Sequence, residues 1–270
     1  MEKEWQVFAL KYAERNSRTR RDSFIFDDDH ASPHAMDYFV WLLRSDDGVI
    51  LVDTGYDQQE AKRRQRPILR DPAASLEALT IAPEDIKTVI VTHLHYDHAG
   101  GLDRYPNATF HIQKSEMEFA TGPCMCGETL RMPFTADHVC EMVRKVYSGR
   151  VVFHDGDGEV APGVTVHCIG GHSRGLQAVR VKTQSGYLCL ASDASHYYEN
   201  FILEKPFPIV VDLENMVSGF KRIQQLASKP ELVIPGHDPL VRDVFQASGT
   251  SGFVWQLHTG PTRSIPGMKA

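Results

Sequence analysis

The stretch "VTHLHYDHAGG", residues 91–101, carries three histidines and one aspartate within six positions. The apolar run 88–91 precedes it and two glycines follow it, which predicts a strand that ends in a tight loop and then turns into a helix. The side chains that would converge on this loop are those of His93, His95, Asp97 and His98. Imidazole and carboxylate are ligands that Zn²⁺ prefers, whereas Ca²⁺ and Mg²⁺ prefer sites built of oxygen atoms. The stretch therefore predicts a transition-metal site, and its alternative is a polar loop whose histidines are satisfied by hydrogen bonds.

Alternating strands and helices along the chain would position this loop. Short runs rich in valine, isoleucine, leucine and aromatic residues predict strands at 5–10, 38–43, 49–53, 88–92, 109–112, 150–153, 164–169, 178–183, 187–192 and 231–235. Amphipathic segments predict helices at 57–65, 73–79, 114–120, 136–147 and 214–228. Asp47-Gly48 and Ser185-Gly186 each separate two apolar runs and predict hairpins. We therefore predict an α/β fold in which antiparallel pairing is mixed with crossover connections, arranged as a layered sandwich.

Length, composition and charge narrow the class of protein. With 270 residues of which 42% are hydrophobic, and without a linker-like segment, the chain is expected to form one domain over residues 1–270. The net charge of −6 offers no basic field for nucleic acid. We find no apolar signal-peptide core near the first residue, no run long enough to span a membrane, and an odd number of cysteines. These observations predict a cytoplasmic protein that binds neither nucleic acid nor membranes.

Four further motifs accompany the histidine cluster in a fixed order. They are "LVDTG" at 51–55, "IGGH" at 169–172, "SDAS" at 192–195 and "IPGH" at 234–237. Together with H-x-H-x-D-H, they resemble the metallo-β-lactamase superfamily over roughly residues 38–238. The resemblance implies a four-layer αββα sandwich of two mixed β-sheets, with a dinuclear metal site at the edges of the sheets.

The resemblance also implies which residues would bind each metal. One ion would be bound by His93, His95 and His172, the other by Asp97, His98 and His237, and Asp193 would bridge both. Such a site would hold two Zn²⁺ ions per chain, although Fe, Mn or Co suit the same ligands. Asp53 resembles the family's aspartate that orients a ligand imidazole, and the alternative is a turn residue at the end of a strand.

The substrate class is suggested by a closer resemblance. "HLHYDHAGG", "GGHSRGLQAV", "SDASHYYENF" and "IPGHD" resemble the N-acyl-homoserine lactonases and related lactonases. The implied function is metal-dependent hydrolysis of a lactone ring, with an N-acyl-homoserine lactone as the leading small-molecule substrate and quorum-signal degradation as its consequence. The alternatives are hydrolysis of a different lactone, a thioester, an amide or a phosphodiester, and a non-catalytic metal-binding protein. The oligomeric state, monomer or homodimer, stays open.

One position departs from the lactonase pattern. Lactonases generally carry a tyrosine three residues after the bridging aspartate, whereas this chain has His196 there, followed by Tyr197 and Tyr198. His196 or a neighbouring tyrosine, Tyr197 first, is predicted to donate a hydrogen bond to the developing oxyanion. The alternative is a histidine that packs beside the site for structural reasons. Asp97 is predicted to relay a proton to the leaving oxygen.

The substrate pocket is expected to draw on two segments, residues 15–40 and 119–147, neither of which contains a recognisable specificity motif. Within the first, the basic run 18–21 and the acidic run 27–30 predict a solvated face.

Overall fold

A computed structural model describes residues 3–268 of the protein. Its strands are β1 (Gln6–Arg15), β2 (Met36–Ser45), β3 (Gly48–Val52), β4 (Thr88–Ile90), β5 (Thr109–Gln113), β6 (Val151–His154), β7 (Gly158–Ala161), β8 (Val164–Cys168), β9 (Gln177–Thr183), β10 (Gly186–Ser192), β11 (Val233–Pro235), β12 (Gln246–Ala247) and β13 (Val254–Gln256). Its α-helices are α1 (Gln58–Arg64), α2 (Pro72–Ser75), α3 (Lys114–Ala120), α4 (Glu128–Arg131), α5 (Ala136–Tyr147), α6 (Tyr198–Ile202), α7 (Leu213–Leu226) and α8 (Leu240–Val244).

The strands form two mixed sheets. The larger has the order β12-β13-β1-β2-β3-β4-β5-β6, and it is antiparallel as far as β3 and parallel from β3 to β6. The smaller has the order β11-β10-β9-β8-β7, with a single parallel pair, β10 and β11. Both predicted hairpins are confirmed, because Ser45 pairs with Gly48 and Thr183 pairs with Gly186.

Alternation of side chains along the strands divides the core into two clusters. Trp41 of β2 packs in one cluster with Val179 of β9, so this cluster lies between the sheets. Its neighbour Leu42 packs in the other cluster, which also contains Met142 of α5 and therefore covers the outer face of the larger sheet. The first cluster also continues onto the other face of the smaller sheet, because the consecutive residues Cys189 and Leu190 of β10 both belong to it. Helix α7 packs against β10 and adds Phe220 to this cluster. The predicted α/β four-layer αββα sandwich is confirmed.

The ten predicted strands and five predicted helices are present, but some boundaries differ. The helix predicted at 73–79 is the short α2 followed by a 3-10 turn at Leu76–Leu79, and the helix predicted after the two glycines is a single 3-10 turn at Leu102–Arg104. The elements that were not predicted are α4, α6, α8, β7, β12 and β13. Each spans only two to five residues. None of the helices within residues 3–268 is long and apolar enough to cross a membrane.

Candidate metal centre

Loops that follow four strands meet at one edge of the sandwich. The loop after β4 carries the histidine cluster, and His172 lies between β8 and β9. Asp193 directly follows β10, and His237 follows β11, the parallel neighbour of β10. Because the ends of neighbouring parallel strands lie at the same edge of a sheet, residues far apart in sequence come together here. The seven predicted ligands are each 8% exposed or less, and they are His93, His95, Asp97, His98, His172, Asp193 and His237.

The carboxylate of Asp193 lies between two groups of imidazoles. Its Oδ2 is 3.2 Å from His172 Nε2 and 3.8 Å from His93 Nε2. Its Oδ1 is 3.3 Å from His98 Nε2 and 3.1 Å from His237 Nε2. Two groups of three residues each have ligand atoms within 4.8 Å of one another. The first is His93, His95 and His172, and the second is Asp97, His98 and His237. The arrangement is that of two adjacent cation sites that share one carboxylate.

The donor atoms of this cluster fit metal ions. The Nε2 atoms of His93, His95, His98 and His172 and Oδ1 of Asp193 are buried, and none has a hydrogen-bond partner among residues 3–268. A buried polar atom without a partner costs about 1–3 kcal/mol. Since all of these atoms face the same small volume, cations bound there would satisfy them together.

Electrostatics at the cluster also favour cations. Burial lowers the pKa values of His93 and His95 well below their usual range, so these imidazoles are neutral, as metal ligands must be. Burial opposes protonation of His98 as well, but the carboxylates of Asp193, Asp53 and Asp97 raise its pKa well above the usual value. The negative field that would hold a proton on His98 would equally stabilise a metal ion at that place.

Asp53 orients one of the imidazoles. Its Oδ2 accepts a hydrogen bond from Nδ1 of His98 at 2.7 Å, and its Oδ1 accepts one from the backbone N–H of Thr92 at 2.7 Å. This contact at Nδ1 fixes the ring so that Nε2 of His98 is directed at the cluster, where it can bind a cation. Asp53 is itself fully buried with a φ of 61°. These contacts favour the orienting role over that of a turn residue.

Backbone carbonyls orient two more imidazoles in the same way. Nδ1 of His172 lies 2.7 Å from the carbonyl oxygen of Ile209, and Nδ1 of His237 lies 2.8 Å from that of Asp37. Because a carbonyl oxygen only accepts, Nδ1 carries the proton in both rings and Nε2 is free to bind a cation.

Glu116 of α3 supports the site and was missed in the sequence. It is fully buried, its Oε1 accepts from the backbone N–H of Leu94, and its Oε2 accepts from the Ser173 hydroxyl and the Gly175 N–H. A Cβ on Gly175 would lie 2.3 Å from the backbone nitrogen of Glu116, so only glycine permits this approach. The available signal was helical spacing, because Glu116 shares the buried face of α3 with Phe119.

The structure brings His196 to the cluster and leaves Tyr197 outside it. Nε2 of His196 lies 2.9 Å from Asp193 Oδ2, and its ring stacks on Phe207 with centroids 3.8 Å apart. The Tyr197 ring instead packs on His34, and it lines a separate cavity of about 440 Å³. The catalytic roles of both residues stay predictions.

A cavity of about 80 Å³ opens over the cluster. Segments 15–40 and 119–147 both contribute to its wall, as predicted, through Arg15, Arg18, Asp22, Met36, Tyr38 and Pro133. Arg66, Tyr96, Pro208 and Ile209 also line it and were not predicted.

The solvated face predicted for the charged runs is wrong for Arg18 and Arg20, whereas Arg21 and residues 28–30 are exposed. Arg18 is only 9% exposed and lines the cavity, because the segment folds back over the site. Arg20 of the same run forms ion pairs with Asp27 at 2.6 Å and with Glu199 of α6 at 2.5 Å, so the two runs bind each other and the body of the protein.

Solved structures with the same fold include lactonases. An N-acyl homoserine lactone hydrolase with the product N-hexanoyl-L-homoserine bound at its catalytic metal centre is 24% identical, with a TM-score of 0.72 over 88% of this chain and 95% of that chain. The dizinc quorum-quenching lactonase AidC is 15% identical, with a TM-score of 0.70 over 98% of this chain and 97% of that chain. At these identities, the likeness concerns the fold alone.

Sequence relatives are more similar. An N-acyl homoserine lactonase of Bacillus cereus is 32% identical over 217 residues, which cover 74% of this chain and 81% of the relative. The N-acyl homoserine lactonase AttM of Azorhizobium caulinodans is 29% identical over 180 residues, covering 64% of this chain and 67% of the relative. The family model of the metallo-beta-lactamase superfamily matches residues 36–237, which include every residue of the cluster. With this match and with the shared fold, the chain belongs to the metallo-β-lactamase superfamily.

Proposed function

We propose that this protein is a dinuclear-metal hydrolase that opens a lactone ring. The observation that carries the proposal is the Asp193 carboxylate, which directs one oxygen at His93 and His172 and the other at His98 and His237. His95 would complete the first site, and Asp97 the second. We propose zinc for both positions because of the imidazole and carboxylate donors, and Fe, Mn or Co suit the same ligands. Two such ions, when bound, would supply a hydroxide at neutral pH and polarise the lactone carbonyl.

Asp97 is suited to move the proton that the leaving oxygen needs. Its Oδ2 lies 3.9 Å from Nε2 of both His98 and His237, farther than either oxygen of Asp193 lies from its nearest imidazole. The backbone carbonyl of Asp97 accepts from the Tyr12 hydroxyl at 2.9 Å, which anchors the residue while its side chain lines the cavity. An anchored carboxylate at the cavity wall would take the proton that the attacking water loses and pass it to the ring oxygen as the ring C–O bond breaks.

His196 is the group best placed to stabilise charge on the carbonyl oxygen. Burial lowers its pKa to about 3, so the ring is neutral, and its Nε2 lies 2.9 Å from Oδ2 of Asp193. When Asp193 binds metal ions instead, the Nε2–H of His196 would be free to donate to a carbonyl oxygen at the edge of the cavity. Phe207 holds the ring by stacking, which preorganises the donor.

The leading substrate class is the N-acyl-homoserine lactones, with quorum-signal degradation as the consequence. Support comes from the relatives of Bacillus cereus and Azorhizobium caulinodans, which are N-acyl homoserine lactonases. The aligned residues cover 81% and 67% of these relatives. We further propose that the whole chain forms one domain and that the protein acts in the cytoplasm.

The test is a hydrolysis screen of purified, metal-loaded protein. The panel contains N-hexanoyl-homoserine lactone, lactones of other ring sizes, a thioester, a phosphodiester and a β-lactam, and Asp193→Ala serves as the inactive control. We expect ring opening of lactones to exceed hydrolysis of the other classes. Hydrolysis of the thioester or the phosphodiester with no lactone turned over would replace the proposed function.

A further inference from the structure

Three arginines line the cavity above the metal cluster. Arg15 and Arg18 come from the end of β1 and the loop after it, and Arg66 follows α1. Five of the seven proposed metal ligands also line this cavity, namely His95, Asp97, His172, Asp193 and His237. Within residues 3–268, no carboxylate lies within ion-pair distance of any of these three guanidinium groups.

Arg18 is the most confined of the three. It is 9% exposed, and one terminal nitrogen donates to the backbone carbonyl of Asp22 at 2.6 Å and lies 3.4 Å from the Ser23 hydroxyl. Its Nε is buried without a hydrogen-bond partner. A guanidinium remains charged at any physiological pH, and burying it without a counter-ion is costly. A ligand anion in the cavity would remove this cost.

Three arginines near the cavity, by contrast, are paired with carboxylates. Arg20 binds Asp27 and Glu199, and Arg63 and Arg64 bind Glu60. The one acidic residue on the rim, Asp22, uses its carboxylate to accept from the backbone N–H of Thr19 at 2.9 Å.

We propose that Arg18, assisted by Arg15 and Arg66, binds a carboxylate carried by the substrate, so that the preferred lactone bears an anionic group on the substituent outside its ring. The inference rests on the proposed lactone hydrolysis and narrows its substrate class. A planar guanidinium matches a carboxylate with two parallel hydrogen bonds. A neutral alkyl chain would instead lie against charged groups and leave them unpaired.

The test compares two substrates that differ in a single charge. N-glutaryl-homoserine lactone and its methyl ester have the same ring and nearly the same length. We expect the wild-type protein to turn over the free acid with a kcat/KM at least tenfold higher than that of the ester. Arg18→Gln should lower kcat/KM on the acid by about ten- to a hundredfold, mainly through KM, which is the scale of one charged hydrogen-bonded pair. Arg18→Lys should restore part of the loss.

Two further variants separate binding from folding. Arg21→Gln removes an exposed charge from the same run and should leave the preference for the acid unchanged. Arg15→Gln removes a less buried arginine of the cavity wall and should also reduce the preference for the acid over the ester. This variant provides a test if Arg18→Gln does not fold. Calorimetric binding of the matching lactam analogues, acid against ester, gives the same comparison without turnover.

Failure of the anion-binding inference can be distinguished from failure of the proposed lactone hydrolysis. Equal turnover of acid and ester, or an Arg18→Gln loss that is the same on both, would overturn the inference and leave lactone hydrolysis standing. Turnover of a thioester or a phosphodiester with neither lactone opened would overturn the proposed function, and the lactam binding experiment would still decide whether the arginines select an anion.

Discussion

Glu116 accepts a hydrogen bond from the hydroxyl of Ser173 at 2.5 Å while its second oxygen accepts from the backbone of the histidine loop, 2.9 Å away at Leu94. One buried carboxylate thus holds together the loop that carries His93 and His95 and the loop that carries His172. Burial raises the pKa of Glu116, whereas its hydrogen bonds to Leu94, Ser173 and Gly175 oppose that rise. Three imidazoles proposed to bind the same ion depend on this contact for their relative positions.

Glu116→Gln should weaken metal binding without removing a ligand. The amide NH₂ group cannot accept from Ser173 and Gly175, so the two loops lose their common anchor. Loss of a group that positions ligands typically lowers metal affinity by about 10- to 100-fold. Competition with a chromophoric chelator measures the affinity. Glu118→Gln, on the same helix and with 65% of its side chain exposed, is the matched control and should behave like the wild type.

Metal content should be about two ions per chain, since the cluster offers two groups of three ligands and one shared carboxylate. Elemental analysis of the purified protein after saturation and desalting gives the number. Asp193→Ala should lower the content and abolish hydrolysis together, because both proposed sites lose a ligand. Saturation at one ion per chain would contradict the dinuclear assignment.

His196→Ala should lower kcat on the best lactone by roughly a hundredfold, the scale of one preorganised oxyanion donor, with a smaller change in KM. The metal content should persist, since the seven proposed ligands remain. Tyr197→Phe should leave kcat nearly unchanged, because its ring lies on His34 in a separate cavity. The reverse result, a loss with Tyr197→Phe and none with His196→Ala, would transfer the donor role to the tyrosine. His196→Tyr rebuilds the lactonase pattern and should retain activity.

Acid should remove a stabilising contribution made by Glu60. This carboxylate accepts hydrogen bonds from Arg63, Arg64 and the Thr135 hydroxyl, which outweigh the effect of burial and lower its pKa to about 2. Because the pKa is lower in the folded than in the unfolded protein, the contribution is full above the usual glutamate range and is lost as the pH falls toward 2. The difference in urea midpoint between wild type and Glu60→Gln should therefore shrink between pH 5 and pH 2. A difference that is constant over this interval would contradict the assignment.

Much of this protein is determined by local sequence. Short runs rich in valine, isoleucine, leucine and aromatic residues predicted ten of the thirteen strands described within residues 3–268, because such side chains suit a buried strand whatever packs against it. Most of the proposed metal ligands could also be recognised from local sequence. Four of the seven lie within six residues, where the end of a strand and two glycines bring their side chains together. The remaining three, His172, Asp193 and His237, follow short motifs at the ends of other strands, which the family resemblance placed beside the first four.

Only the tertiary structure decided what supports the metal cluster and what covers it. Glu116 is an ordinary charged residue on a short helix until Leu94 and Ser173 approach it from two separate loops. Arg18 belongs to a basic run that would be solvated on an isolated segment, and it is buried because residues 15–38 fold over the cavity. The directions of His196 and Tyr197 differ although the residues are adjacent, because one stacks on Phe207 and the other on His34. In each case, burial and pairing depend on groups far away in sequence, and no local period encodes those contacts.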